Sequence, residues 1–258
     1  MTESAAITSS DCEKELWARL RRFTAARIGL ARAGASLSTG PLLEFRLAHA
    51  RARDAVLESL DEGRLARELG RLDVPIIRVA SAAEDRKSYL MRPDKGRRLA
   101  ADCGEKLSVR RGAYDVGFVI ADGLSARAVQ THAAPVLSAA IPALRAEAWR
   151  IAPLVIVRHG RVAIGDAIAA ALGADSVAVL IGERPGLSAS DSMGAYLTWQ
   201  PSAATTDAER NCISNIRPEG IDCGSAALKL VHLLQAMRDR RLSGVALKDN
   251  TDEWRIEG

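Results

Sequence analysis

Aromatic side chains are scarce: three Phe, three Tyr and four Trp make up 4% of the 258 residues. The core must therefore be built mainly from Ala, Leu, Val and Ile. Few rings are left to stack on nucleic-acid bases. Cysteine is also sparse. Cys12, Cys103, Cys212 and Cys223 include no C-x-x-C pair and have no His at zinc-finger spacing. That excludes a cysteine-stapled secreted scaffold, and a reduced, cytoplasmic chain is expected. Long apolar runs are absent too. The longest uncharged one, residues 128–144, is interrupted by Gln130, Pro135 and Pro142, so no transmembrane helix is expected. The first ten residues carry Glu3 as their only charge and lack the basic and apolar regions of a signal peptide; they read as disordered.

Several catalytic signatures are missing as well. No G-x-S-x-G elbow surrounds Ser36, Ser125, Ser188 or Ser214, and no H-E-x-x-H exists. His49, His132, His159 and His232 are scattered singles, better read as surface or satisfied core histidines than as metal ligands. Neither a P-loop nor a G-x-G-x-x-G fingerprint occurs.

The remaining composition is that of a globular protein, 48% hydrophobic and 26% charged. A chain this long buries roughly three quarters of its unfolded surface, enough to need no staple. The net charge of +4 is uneven. Residues 1–111 carry 22 Lys/Arg against 16 Asp/Glu, and residues 112–258 carry 14 against 16. A basic front half suits an acidic partner such as nucleic acid, an anionic lipid surface or a protein. Acids interleave with these bases, which favours a solvated or protein-facing helical surface.

Two regions are expected. Residues 1–72 form a small Arg-rich helical domain. Its helices begin at Asp11, run from Pro41 through Leu60, and occupy 65–71, with a glycine-bearing break at 29–40. Residues 73–258 alternate β-branched runs with helical stretches. Strands are expected at 75–80 (PIIRVA), 116–121 (VGFVIA), 154–158 (LVIVR), 177–182 (VAVLIG) and, more weakly, 195–199 (AYLTW). Helices are expected at 94–107, 125–150 with proline breaks, 165–172 and 226–241. Strands apolar on both faces, alternating with helices, predict an α/β domain with a mostly parallel sheet.

In such a sheet, ligands collect at the C-terminal strand edge. Three loops fall there: 121–125, 160–162 and the glycine-bearing 182–188. Ser125 reads first as a helix cap. Glu183 would repel a phosphate and suits a ligand with N–H or O–H donors, unless a neighbouring arginine such as Arg184 claims it. Cys212 lies in RNCISNI, an unusually polar turn; it is either a small buried hydrophobe or part of a ligand loop. These residues contain no self-sufficient catalytic constellation. They point to a cofactor-binding module or to an enzyme subunit whose chemistry lies elsewhere. The alternative is a non-catalytic α/β ligand-binding module or a basic nucleic-acid-binding module.

Several segments, colinear from about Leu20 to Lys248, resemble one known family. They are 26–49 (ARIGLARAGASLSTGPLLEFRLAH), 87–99 (KSYLMRPDKGRRL), 119–125 (VIADGLS), 158–166 (RHGRVAIGD), 180–187 (LIGERPGL) and 211–216 (NCISNI). Together they resemble the small (light) subunits of ethanolamine ammonia-lyase. The resemblance implies a helical N-terminal domain followed by a Rossmann-like domain. It implies a hetero-oligomer with a large catalytic subunit, adenosylcobalamin as cofactor, and radical deamination of ethanolamine to acetaldehyde and ammonia. It assigns cobalamin contacts to Val162, Glu183 and Cys212, with no catalytic residue on this chain and no metal beyond the cofactor's cobalt. No nucleic acid and no membrane enter this picture. The chain lacks D-x-H-x-x-G, the pattern that supplies an axial histidine in other cobalamin proteins, which suits base-on binding. Arg92, Arg97 and Arg98 are read as interface or helix-end ion pairs, or as contacts to the cofactor's phosphate. Some relatives enter a bacterial microcompartment through an N-terminal extension; the stretch ahead of the match is short here.

Overall fold

The computed structural model describes residues 9–249. The expected disorder of residues 1–10 falls mostly outside that range. The N-terminal region is helical. It comprises α1 (Ser9–Leu20), a two-residue hairpin of β1 (Arg32–Ala33) and β2 (Ser36–Leu37), α2 (Thr39–Leu57) and α3 (Glu62–Leu69). Asp61 caps α3 by accepting from the Arg64 N–H at 2.9 Å. The α/β region follows with β3 (Ile76–Ala80), α4 (Arg86–Met91), α5 (Pro93–Gly96), α6 (Cys103–Ser108) and β4 (Tyr114–Ala121). It continues through α7 (Ala126–Ala146), β5 (Leu154–Arg158), α8 (Ile164–Leu172), β6 (Ala174–Gly182), β7 (Met193–Trp199), β8 (Asn211–Ile216) and α9 (Cys223–Arg240).

The main sheet has six strands in the order β3-β5-β4-β6-β7-β8. The first four in that order run parallel, and β7 is antiparallel to both its neighbours. Alternate residues of each strand serve opposite faces. Phe118, Ile120, Ile156, Leu180, Leu197 and Ile213 face a core closed by α3, α7 and α9. Val119, Val157 and Val179 face a second core closed by α6 and α8 through Leu107, Ile164 and Ile168. Leu65 and Leu69 of α3 are fully buried in the first of these cores.

Three local expectations are corrected. Residues 94–107 do not form one helix. Their middle pairs with the sheet edge instead: the Ala100 N–H donates to the Ala80 carbonyl at 3.0 Å and the Ala82 N–H to the Arg98 carbonyl at 2.9 Å. Helix α7 is not broken by Pro135 or Pro142. An interior proline costs about 3 kcal/mol, and eleven buried residues along α7 offset that locally. The polar stretch 211–216 is not a turn but strand β8, aligned through Leu197↔Asn211 and Tyr196↔Cys212. The Ser125 cap holds: its hydroxyl accepts from the Ala128 N–H at 3.3 Å. Among the described residues no helix is long and apolar enough to cross a membrane, and no cluster of potential metal ligands exists.

Candidate functional site

Strand β8 is covered on one side only. Ile213 and Ile216 are buried, while Cys212 and Ser214 are exposed on the opposite side. The neighbouring strand β7 places Tyr196 beside Cys212, packed against the core under α8. Val162, just before α8, packs against that same core. The result is an open face beyond α8, where β7 and β8 extend past helix cover.

Glu183 follows β6 at the sheet edge, and its carboxylate turns back toward this face. A Cβ at Gly194 of β7 would lie 2.9 Å from Glu183 Oε1 and 3.2 Å from Tyr196 Cε2, so a side chain there would push the carboxylate from its place. The Ser192 hydroxyl donates to Glu183 Oε2. The Asn215 N–H donates to the carboxylate at 3.2 and 3.4 Å. Asn215 has a left-handed backbone, φ 58°, which Asn tolerates better than most residues. Glu183 makes no ion pair among the described residues, so neither Arg184 nor another arginine claims it. It remains a fixed acceptor with lone pairs to spare.

Val162, Glu183 and Tyr196 line one cleft, together with Tyr89, Leu124 and Arg161. Cys212 borders it as the cross-strand partner of Tyr196. Burial pushes the Tyr196 hydroxyl above its usual range, and Cys212 and Glu183 add to the shift. The Cys212 residue is exposed, yet desolvation of its sulfur raises the thiol too, with Glu183 adding and Tyr196 opposing. Both groups are neutral at pH 7. The cleft offers apolar surface, neutral polar groups, one anchored carboxylate and the guanidinium groups of Arg161 and Arg184.

A set of buried groups beside this cleft holds its loops together. Asp122, between the ends of β4 and β5, is buried and accepts from the Gly160 N–H at 3.2 Å. Burial pushes its carboxyl above the usual range, against hydrogen bonds from His159 and Gly160 and the charge of Arg86. Arg86 sits 3.7 Å from Asp122 and donates to the carbonyls of Gly123 and Val56, both at 2.7 Å. It thereby ties the end of α2 to the β4 loop. Tyr89 lies between two guanidinium groups, with Arg86 4.9 Å and Arg161 4.6 Å from its ring centre. Desolvation raises its hydroxyl to about 12. Gly123 allows the β4 loop to cross the end of β6. Its φ is +55°, and a Cβ there would meet the Gly182 carbonyl at 2.3 Å. The Asp122-Gly123 pair is a sequence signal for that turn; nothing local announces Arg86 or Tyr89.

The arginines of RPDKGRR separate into two kinds. Arg92 grips Asp94 at 2.9 Å through two nitrogens, and Arg98 joins it at 3.0 Å. Arg97 instead lines a second cleft with Arg161 and Val162.

Comparison with known proteins gives the family. Residues 14–248 match the family described as ethanolamine ammonia-lyase light chain. The chain is 49% identical over 246 residues to an ethanolamine ammonia-lyase small subunit of Azotobacter vinelandii, covering 94% of this chain and 91% of the relative. It is 46% identical to one of Ralstonia nicotianae, with 96% and 94% covered. It is 51% identical to one of Xanthomonas campestris pv. campestris (strain B100), with 93% and 89% covered. At this identity and coverage, the chain belongs to the ethanolamine ammonia-lyase small-subunit family.

Proposed function

We propose that this small subunit holds part of adenosylcobalamin on the open face beyond α8, at its interface with a large subunit that binds substrate. The observation that carries the reading is the convergence of Val162, Glu183 and Cys212 around Tyr196, on a face that no element among the described residues covers.

The residues suit the ligand chemically. A corrin ring is a broad apolar disc rimmed by primary amides. Val162 and the Tyr196 ring supply apolar surface at one side of the disc. Glu183, held by Ser192 and Asn215, accepts from amide N–H groups with little side-chain entropy left to lose. Cys212 and Ser214 offer neutral polar contacts along β8. In this reading the subunit positions a cofactor and leaves substrate chemistry to its partner. The bound cofactor supplies the cobalt–carbon chemistry by which the holoenzyme deaminates ethanolamine to acetaldehyde and ammonia by a radical route. This chain's part is to bind, orient and shield.

The test is reconstitution. The chain is combined with a large subunit of the family and adenosylcobalamin, and acetaldehyde release from ethanolamine is assayed. Activity that requires both chains and the cofactor is the expected result. No complex and no activity with a large subunit that is competent with another small subunit would contradict the assignment.

A further inference from the structure

We propose that Arg97 and Arg161 form a phosphodiester seat, and that it takes the phosphate of the cofactor's nucleotide loop; this rests on the cobalamin reading above. The seat is a cleft next to the Val162–Glu183 site. Arg161 and Val162 line both clefts, so the two adjoin, with Glu183 on one side and Arg97 on the other.

The charges in this second cleft do not cancel. Arg210 is already matched by Asp166 at 2.7 Å, with Asp207 3.5 Å from its Nε. Arg97 has no side-chain hydrogen bond or ion pair among the described residues. Its neighbours Arg92 and Arg98 both turn to Asp94, which leaves Arg97 as the member of the RPDKGRR group that is open to a ligand. Arg161 donates one Nη2 hydrogen bond to the Tyr89 carbonyl at 3.1 Å, and its buried Nε has no partner. It too lacks a carboxylate partner among the described residues. Arg97 and Arg161 thus face this cleft without a carboxylate of their own; counted with Arg210, Asp166 and Asp207, the cleft keeps one net positive charge, with the Thr205 and Thr206 residues on its wall. Guanidinium pairs bidentately with phosphate, and its charge is held regardless of pH. The corrin amides are neutral, and the nucleotide-loop phosphate is the one acidic group the cofactor carries. A ligand with its apolar disc over Val162 and a single anion beyond it matches the order of groups across the two clefts.

The test compares adenosylcobalamin with adenosylcobinamide, which lacks the nucleotide loop and its phosphate. Equilibrium binding to the complex of this chain with its large subunit is measured for wild type, Arg97→Ala, Arg97→Lys and Glu183→Gln. Arg97 is exposed, so its replacement leaves the fold intact. Arg97→Ala is expected to weaken adenosylcobalamin roughly tenfold, the scale of one lost charge-assisted hydrogen bond. Adenosylcobinamide affinity should not change, and Arg97→Lys should fall between wild type and Arg97→Ala. Equal weakening of both ligands, or of neither, overturns the proposal. A seat for free phosphate would leave both affinities unchanged while inorganic phosphate stabilised wild type but not Arg97→Ala; that outcome also overturns it. Glu183→Gln separates this proposal from the cobalamin reading. It should weaken both ligands; if it weakens neither, the Glu183 site fails, while the cobalamin–cobinamide difference still decides Arg97.

Discussion

Arg210 and Asp166 meet in a bidentate ion pair, Nη1 to Oδ1 at 2.8 Å and Nη2 to Oδ2 at 2.7 Å, with both side chains almost wholly buried. Arg210 Nη1 also donates to Thr198 Oγ1 at 3.0 Å. The pair joins the first turn of α8, just after Val162, to the residue that leads into β8 and Cys212. It therefore sets the spacing between two sides of the proposed cofactor face.

Removing one partner would strand a buried charge. Arg210→Ala and Asp166→Asn should each lower unfolding stability by about 3–5 kcal/mol. The double replacement Asp166→Leu, Arg210→Met should cost less than either single change, because no charge is left alone. Urea unfolding of the three variants checks this, and additive losses in the double variant would argue against the pair.

Two glycines near the site should respond differently to a methyl group. Gly123→Ala imposes a side chain at φ +55° and drives it into the Gly182 carbonyl. A loss of about 2–3 kcal/mol of stability is expected. Gly194→Ala meets a movable carboxylate oxygen instead. Stability should fall little, while cofactor affinity drops as Glu183 is displaced. Unfolding curves and cofactor titrations of the same two proteins separate these effects.

The parallel strands were legible because β4, β5 and β6 are buried on both faces over short apolar runs, VGFVIA, LVIV and VAVLIG. Strand β8 was not. It is an edge strand with one bare face, and NCISNI alternates irregularly around a bulge opposite Met193 and Ala195. Its polar residues, Cys212 among them, resemble a turn until the pairing with Tyr196 is seen. The helix expected over 94–107 failed because residues 98–100 give their backbone groups to the end of β3, a tertiary choice that helical spacing does not encode. Glu183 was legible as an acceptor. Its anchors Ser192 and Asn215 lie 9 and 32 residues away, and such distances leave no local pattern. Among the arginines, only the fold could show that Asp94 occupies Arg92 and Arg98 and leaves Arg97 open.

A pH effect should come from Asp115. Its carboxylate accepts from Arg150 Nη2 at 2.8 Å and from the Arg150 backbone N–H at 2.6 Å. Hydrogen bonding and the charge of Arg150 hold it below the usual carboxylate range, against a desolvation penalty. A depressed carboxylate stabilises the fold above its ordinary pKa of about 4, and that stabilisation is lost as pH falls through the depressed value. Because the Arg150 side chain is largely exposed, the contribution should be only about 1 kcal/mol. Asp115→Asn should thus be less stable than wild type at pH 7, and the gap should close as pH drops below 4. A gap that is constant with pH would point to packing rather than charge.

The most direct measurement is the adenosylcobalamin dissociation constant of the assembled enzyme with wild-type and Glu183→Gln small subunits. The Ser192 hydroxyl and the Asn215 N–H can both still donate to the glutamine carbonyl oxygen, so the loop should keep its shape. Assembly with the large subunit should be unchanged, and the dissociation constant should rise roughly tenfold, as expected for losing a charged acceptor. An unchanged constant in a fully assembled complex would contradict the account, since Glu183 would then not touch the cofactor.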